Sequence, residues 1–466
     1  MGYTELIKHM RYKTMYKPNE IYWGLGIEEE TYLQFTKPIY VAAPLIRTAH
    51  AAERYSVKYY TTYDSTYKDA FAALFTDASG FYPLPYFVNG HCFTKMDTSG
   101  NHMTTYERVP KPNPKFSGKT FFQNLEEFKR ACKKSFNKIF DDSCVFDGDT
   151  IEFMTQNFYK AKVDCVIEEL VKAKADFITC VNEYLVRTKK HRDKGLLMYP
   201  PVNPGFAVFY SNPKNITMFN NGTYHINITL PTMLGSADEN GIPKILDLPD
   251  FRLKHKNFIR LIQWLEPVII AVYGTKDPLC AVSEKYSKAS QRCAVSRYIG
   301  VGTYDTVAMT TGKIVTIPIS EIPGTQTDFW WYKEYHKTSG YKPLEELGMD
   351  ICYRKHYNHG VEIRFLDWFP ETMLKGVIEF YICLADLSLE SNMPENPIMS
   401  PIWNGFMVSV LRGGPETKVS KEVIAVYSKL LKTSFINGIS VRDMYNAMYN
   451  ILKTRYKNGI CNKYMM

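Results

Sequence analysis

The sequence is short of the signatures that would assign it quickly. No Cys-x-x-Cys pair occurs among its 10 cysteines and no zinc-ligand spacing is present, so a structural zinc site or a thioredoxin-like redox pair is not expected. No uninterrupted apolar run reaches membrane-spanning length, which argues against a transmembrane helix and a membrane partner. The first residues, MGYTELIKHMRYKTMYK, have no apolar core of a signal peptide, and Leu6 breaks the myristoylation pattern. Neither a GxxxxGK[ST] nor a GxGxxG loop appears, no repeat is visible, and no motif for a covalent nucleophile is present. Reduced thiols in a cytoplasmic protein follow from this, with Cys132, Cys165 and Cys383 expected on the apolar faces of helices.

Long runs of one charge are also missing. The net charge is +9, modest for 466 residues, and suits an anionic small molecule such as a nucleotide. The densest basic cluster, Lys189, Lys190, His191, Arg192 and Lys194, sits at an expected helix exit and reads as solvated surface, not as a specific nucleic-acid site. The spacing predicts helices over 120–140, 160–187, 251–273, 370–390, 420–434 and 441–456, with a shorter one at 68–74. Pro267 should kink or divide the third of these, and Ser440 with Asp443 should cap the last. Strands are expected over 21–35, 207–211, 223–230 and 360–366, strand and loop over 312–329, and a turn at Asp147-Gly148 leading into another strand. We read residues 1–466 as one catalytic unit and 36–143, rich in Tyr, Thr, Gly and Pro, as an insertion within it. Oligomeric state leaves no mark on the sequence.

What is present is charge in unusual places. Glu28, Glu29 and Glu30 interrupt an otherwise apolar run. In an extended strand Glu28 and Glu30 share a face and Glu29 takes the other. Two carboxylates on one face repel unless a cation lies between them, and hard divalent cations prefer carboxylate oxygen. The competing reading is an edge strand carrying solvated charge. On either reading Glu29 points away and is expected to tolerate replacement.

Four later stretches repeat the theme. Glu152 stands between Ile151 and Phe153. His225, Asn227 and Thr229 alternate with Ile226, Ile228 and Leu230, so a polar strand face either lines a cleft or meets water. In the stretch from Ser290 to Tyr298, Arg292, Arg297 and Tyr298 offer groups that grip an anion or pair with surface acids. Glu362 and Arg364 share a face with Leu366, as parts of a metal–phosphate site or as an ion pair. Acids, a histidine and arginines on strands, with no nucleophile, suit polyphosphate chemistry.

In order along the chain these stretches resemble the glutamate–cysteine ligases and related carboxylate–amine ligases, which share the glutamine-synthetase-like fold. The G-x-E-x-E element is matched by Gly26, Glu28 and Glu30. The element (L/I)-E-F-x-T is matched by Ile151, Glu152, Phe153 and Thr155, and H-x-N by His225 and Asn227. Leu265-Glu266-Pro267 through Ala271, Gly274 and Pro278 echo a helix end, S-x-R and Tyr are Ser290, Arg292 and Tyr298, and E-x-R-x-x-D is Glu362, Arg364 and Asp367. Val145 stands near where the family often has a further acid, and the link between the first two metal strands is unusually long.

The resemblance implies an α+β fold, an antiparallel sheet curved into an active-site cleft with helices outside. It implies Mg²⁺ held by Glu28, Glu30, Glu152, Glu362 and His225, with His225, Asn227 and Arg364 toward the nucleotide. Arg364, Arg292 and Tyr298 would be the catalytic groups. The implied reaction is ATP-dependent amide formation through an acyl phosphate, between the glutamate side chain and cysteine. Ligation of other amino acids, a guanidino kinase of the same fold, and a non-catalytic binding protein on a ligase scaffold are the alternatives.

Overall fold

The computed structural model describes residues 17–42, 81–88, 143–147, 150–189, 191–201, 203, 222–237, 239, 243–276, 288–290, 351–353, 360–390, 392–395, 397 and 400–466. The helices expected at 68–74 and 120–140 and the strands at 207–211 and 312–329 lie outside these residues, as does most of 36–143.

The protein is a mixed helix and antiparallel-sheet fold. Strand β1 (Ile21–Thr31) is central to the larger, open sheet. It pairs on one side with β5 (Thr150–Met154), itself hairpin-paired to β4 (Cys144–Asp147), and on the other with β7 (Thr223–Ala237). Next to β7 come β10 (Val361–Asp367) and β9 (Ile351–Tyr353), while β8 (Pro243–Ile245) pairs with the far end of β7. The single strand expected over 21–35 is divided at Tyr32. From Leu33 the chain leaves the sheet as β2 (Leu33–Ala42), which joins β3 (Phe81–Val88) and β6 (Leu197–Met198) in a second, three-stranded sheet.

Strand alternation divides the large sheet into two chemically distinct faces. Leu25, Ile27, Phe153, Tyr224, Ile226, Ile228, Val361 and Ile363 are buried on one. Helix α1 (Val163–Thr188) packs there on β1 and β5, and α2 (Leu248–Tyr273) on β7 and β10. Helix α3 (Leu374–Glu390), entered through a 3₁₀ turn at Glu371–Met373, covers both helices. Four helices complete the C-terminal part: α4 (Pro401–Gly413), α5 (Lys421–Leu431), α6 (Val441–Arg455) and α7 (Ile460–Met465). Ser440 caps α6 as expected, its Oγ accepting from Asp443 N at 3.1 Å and donating to the Asp443 carboxylate at 2.6 Å. No described helix is long and apolar enough to cross a membrane.

Pro267 does not divide α2. A proline removes the bond to the carbonyl four residues earlier, here Gln263. Trp403 of α4 takes that vacant place, its Nε1 donating to the Gln263 carbonyl at 3.0 Å, and the Tyr427 hydroxyl of α5 donates to the next carbonyl, Trp264. Tertiary donors thus replace the missing one, and the helix runs on to Tyr273.

Two irregularities shape the strands. Between Tyr22↔Thr232 and Gly24↔Thr229, β7 carries one extra residue in a stretch that contains Pro231, where no ladder bond is needed from it. Between Ile363↔Ile226 and Leu366↔Tyr224, β10 carries the extra residue. The second bulge corrects the expected sharing of a face by Glu362, Arg364 and Leu366: Leu366 instead stands beside Tyr224 in the core. Cys165 is also corrected. It is exposed, because Val163, Val166 and Leu170 define the buried stripe of α1 and position 165 falls off it. Cys144, Cys383 and Cys461 are buried free thiols.

Candidate metal centre

Glu28 and Glu30 point to the face of the sheet opposite the one that carries Leu25 and Ile27, and β1 is no edge strand, so the solvated-edge reading fails. Both carboxylates are buried, at 7% and 4% exposure. Pairing registers explain what gathers around them, since directly opposed residues in an antiparallel ladder share a face. Glu28 is opposite His225 and Glu30 is opposite Glu152. Asn227 is opposite Gly26 on one side and Glu362 on the other. Val145 on β4 is in register with Glu152, which is half-buried.

At the centre is the His225 imidazole, 1% exposed. Its Nδ1 lies 3.2 Å from Glu28 Oε2 and 3.7 Å from Glu362 Oε1, and its Nε2 lies 3.7 Å from Glu30 Oε1. One ligand atom from each of Glu28, His225 and Glu362 can be chosen so that all three fall within 4.8 Å of one another. Asn227 Nδ2 donates to Glu28 Oε1 at 3.3 Å, which orients that carboxylate. Arg364 Nη1 donates to Glu362 Oε1 at 3.0 Å, so the arginine is ion-paired with a candidate ligand two residues away. Of the two readings of these residues, the ion pair is the one observed, and it lies within one strand.

Two carboxylates at the separation found here repel by roughly 3 kcal/mol even at an effective dielectric of about 20. Four carboxylates share the face with Arg364 as the guanidinium among the described residues. Two carboxylates and an imidazole converging at this range are a donor set that fits a divalent cation.

Neighbouring residues hold β1 in place. A Cβ on Gly26 would come within 2.8 Å of the Phe158 ring, and one on Gly24 within 1.9 Å, so the ring lies where only glycine leaves room. Thr155 Oγ1 accepts from Ile27 N at 3.0 Å, and Thr155 N donates to the Ile27 carbonyl, which ties the end of β5 to the middle of β1. The Gly in G-x-E-x-E and the Thr in I-E-F-x-T thus have structural tasks beside the acids they accompany.

The other side of β1 overturns one expectation. Glu29 does face away from Glu28 and Glu30, but it is fully buried and paired, not tolerant surface. Its Oε1 accepts from Lys174 Nζ at 2.6 Å and from Trp368 Nε1 at 2.8 Å. Burial pushes the Glu29 carboxyl above the usual range, against the opposing pull of Lys174, and the buried Tyr199 and Tyr224 hydroxyls beside it are raised well above theirs by the same desolvation. A signal for Lys174 was present in the sequence: it occupies the apolar stripe of α1, four residues after Leu170 and three before Phe177. Trp368 gave no comparable sign of its contact with Glu29. Arg292 and Tyr298 lie outside the described residues.

No protein-family model matches the chain. Over 457 residues it is 36% identical to "Uncharacterized protein R704" of Acanthamoeba polyphaga mimivirus, an alignment covering 98% of this chain and 79% of that protein. The chain belongs to one family with that mimivirus protein.

Proposed function

We propose that the chain is an ATP-dependent carboxylate–amine ligase similar to the glutamate–cysteine ligases, and that the acidic face of the large sheet is the floor of a glutamine-synthetase-like active-site cleft. The observation that carries this reading is the convergence of Glu28, His225 and Glu362 at ligand distance. Those residues would hold Mg²⁺, with Glu30 and Glu152 continuing the acidic row. When bound, the cation would neutralise phosphate oxygens of ATP and so favour phosphoryl transfer.

The remaining work falls to the chain's own groups. Asn227 keeps Glu28 turned toward His225. Arg364, held by Glu362, can swing its guanidinium to the γ-phosphate and stabilise charge on the transferred phosphoryl group. A carboxylate oxygen attacks the γ-phosphorus, the bond to ADP breaks and an acyl phosphate forms. The amine nitrogen then attacks the acyl carbon, phosphate leaves and the nitrogen loses a proton. A carboxylate is a poor electrophile, and phosphorylation supplies the leaving group that an amide-forming step needs. Glutamate and cysteine are the expected pair, with Arg292 and Tyr298 toward the acid.

The test is mass spectrometry of products formed from ATP, Mg²⁺ and an amino-acid mixture. A γ-linked dipeptide with release of ADP and phosphate is the expected result. Phosphate retained on a guanidino nitrogen would establish the kinase instead, and ATP binding without turnover on any pair would overturn the enzymatic reading.

A further inference from the structure

The acidic face accounts for two members of the Glu28–Glu30 triplet; the third acts behind it. Glu29 accepts two hydrogen bonds on one oxygen, from Lys174 and from Trp368. Lys174 belongs to α1, pairs also with Glu371 just before α3, and sits 4.8 Å above the Tyr199 ring, whose hydroxyl donates to the Lys174 carbonyl at 2.9 Å. Trp368 directly follows β10, the strand carrying Glu362 and Arg364. Its backbone is fixed independently, the amide by the Gly222 carbonyl at 3.0 Å and the carbonyl by Thr275 Oγ1 at 2.9 Å.

Strands β1 and β10 are not neighbours, because β7 lies between them. On the core side, Tyr224 of β7 is opposite Glu29 on one flank and Leu366 on the other. The Trp368–Glu29 bond therefore crosses behind β7 and links the two outer strands of the metal centre. An apolar pair could hold α1 on β1 at no greater cost, since burying a carboxylate and an ammonium carries a desolvation penalty of several kcal/mol per ion. What the polar version adds is direction. Two donors from different elements fix the rotation of β1 about its own axis, and that rotation aims Glu28 and Glu30.

We infer that Glu29 is a positioning residue of the metal centre: through Lys174 and Trp368 it sets the spacing between the β1 and β10 ligands. The inference rests on the reading of Glu28, His225 and Glu362 as a divalent-cation site. Its test is Mn²⁺ titration of the full chain, by calorimetry and by loss of free-ion electron paramagnetic resonance signal. Trp368→Phe removes the cross-strand bond and keeps the Glu29–Lys174 pair. The double variant Glu29→Gln, Lys174→Met removes both charges at similar volume.

Each is expected to bind Mn²⁺ about tenfold more weakly, the low end of the range for loss of a direct partner of a metal ligand because Glu29 acts on the ligands through the strands, while circular dichroism stays that of the wild type. A merely structural role would lower the melting temperature at an unchanged Mn²⁺ Kd, and that outcome overturns the inference. Wild-type protein that binds no Mn²⁺ would overturn the site reading itself, whereas binding abolished by Glu28→Gln but untouched by the Trp368 and double variants would remove the positioning role alone.

Discussion

Acid should loosen this fold at one histidine in particular. His255 of α2 is fully buried, with Nδ1 2.7 Å from the Phe251 carbonyl and Nε2 accepting from Leu230 N at 3.1 Å. Leu230 lies at the β7 bulge, where the ladder supplies no partner for its N–H, so the imidazole completes the strand that carries His225 and Asn227. Both ring nitrogens are committed, Nδ1 as donor and Nε2 as acceptor. A second proton would set Nε2–H against an amide N–H. Burial accordingly draws the pKa down from 6.5 to about 4.

Above pH 6.5 neither the folded nor the unfolded chain protonates this group, and its contribution is complete. Between 6.5 and about 4 the unfolded chain takes up a proton that the folded chain refuses, so stability falls across that window. At about 1.4 kcal/mol for each pH unit, the loss comes to roughly 3 kcal/mol. His255→Gln supplies an amide oxygen for Leu230 and an amide donor for Phe251 but does not titrate. Urea unfolding of both proteins at intervals from about pH 7.5 to about pH 4 measures the difference. The wild type should start more stable, and its advantage should shrink by roughly 3 kcal/mol, while the background titration of carboxylates cancels between the two. Parallel profiles would refute the reasoning, because they would mean that His255 titrates alike in both states.

Three further outcomes are expected. Glu29→Gln alone should destabilise the fold by about 3 kcal/mol in urea unfolding, since it strands the buried Lys174 ammonium with only the partly exposed Glu371 as partner. Trp403→Phe keeps an aromatic ring but loses the indole N–H, orphaning the Gln263 carbonyl at Pro267, and thermal or urea unfolding should register a loss of at least about 1–3 kcal/mol, with the smaller ring adding to it. Glu362→Gln removes a proposed ligand carboxylate and its ion pair with Arg364, and Mn²⁺ affinity by calorimetry should fall further than the roughly ten- to hundredfold that loss of an outer partner costs.

How much of this was legible depends on the range of the interaction. The period of two along a strand assigned His225, Asn227 and Thr229 to one face and Glu29 to the face opposite Glu28, and the registers agree. Local capping at Ser440 was equally readable. What alternation cannot supply is pairing. That His225 lies beside Glu28 depends on β1 meeting β7 across 197 residues, and only the ordered resemblance suggested which strands adjoin. Bulges defeat a strict period of two, which is why Leu366 was assigned to the wrong face. Pro267 shows the same limit for helices: its local rule predicts a break, and donors supplied from positions 403 and 427 reverse it. Glu29 was misjudged because outward from one face was equated with exposed, although a central strand under helices has no exposed face on that side.

That last point bears on why three acids stand in a row. On the proposed reading, a strand that presents two carboxylates to a cation carries residues of the opposite face between them, and in a central strand those residues lie in the core. An apolar residue at position 29, like Ile27 before it, would anchor β1 only through non-directional packing. A carboxylate there demands partners, and the partners come from α1 and from the end of β10, the elements whose placement decides whether Glu28 and Glu362 face the same imidazole. Buried charge is a poor way to gain stability and a good way to forbid alternative registers, because a slip of one residue would turn both Glu28 and Glu30 into the core, where the Lys174 ammonium can pair with only one of them. The cost of Glu29 is thus connected to the cost of the proposed site: the same one-residue slip that would take Glu28 and Glu30 away from His225 and Glu362 would leave one of them buried without a counter-charge.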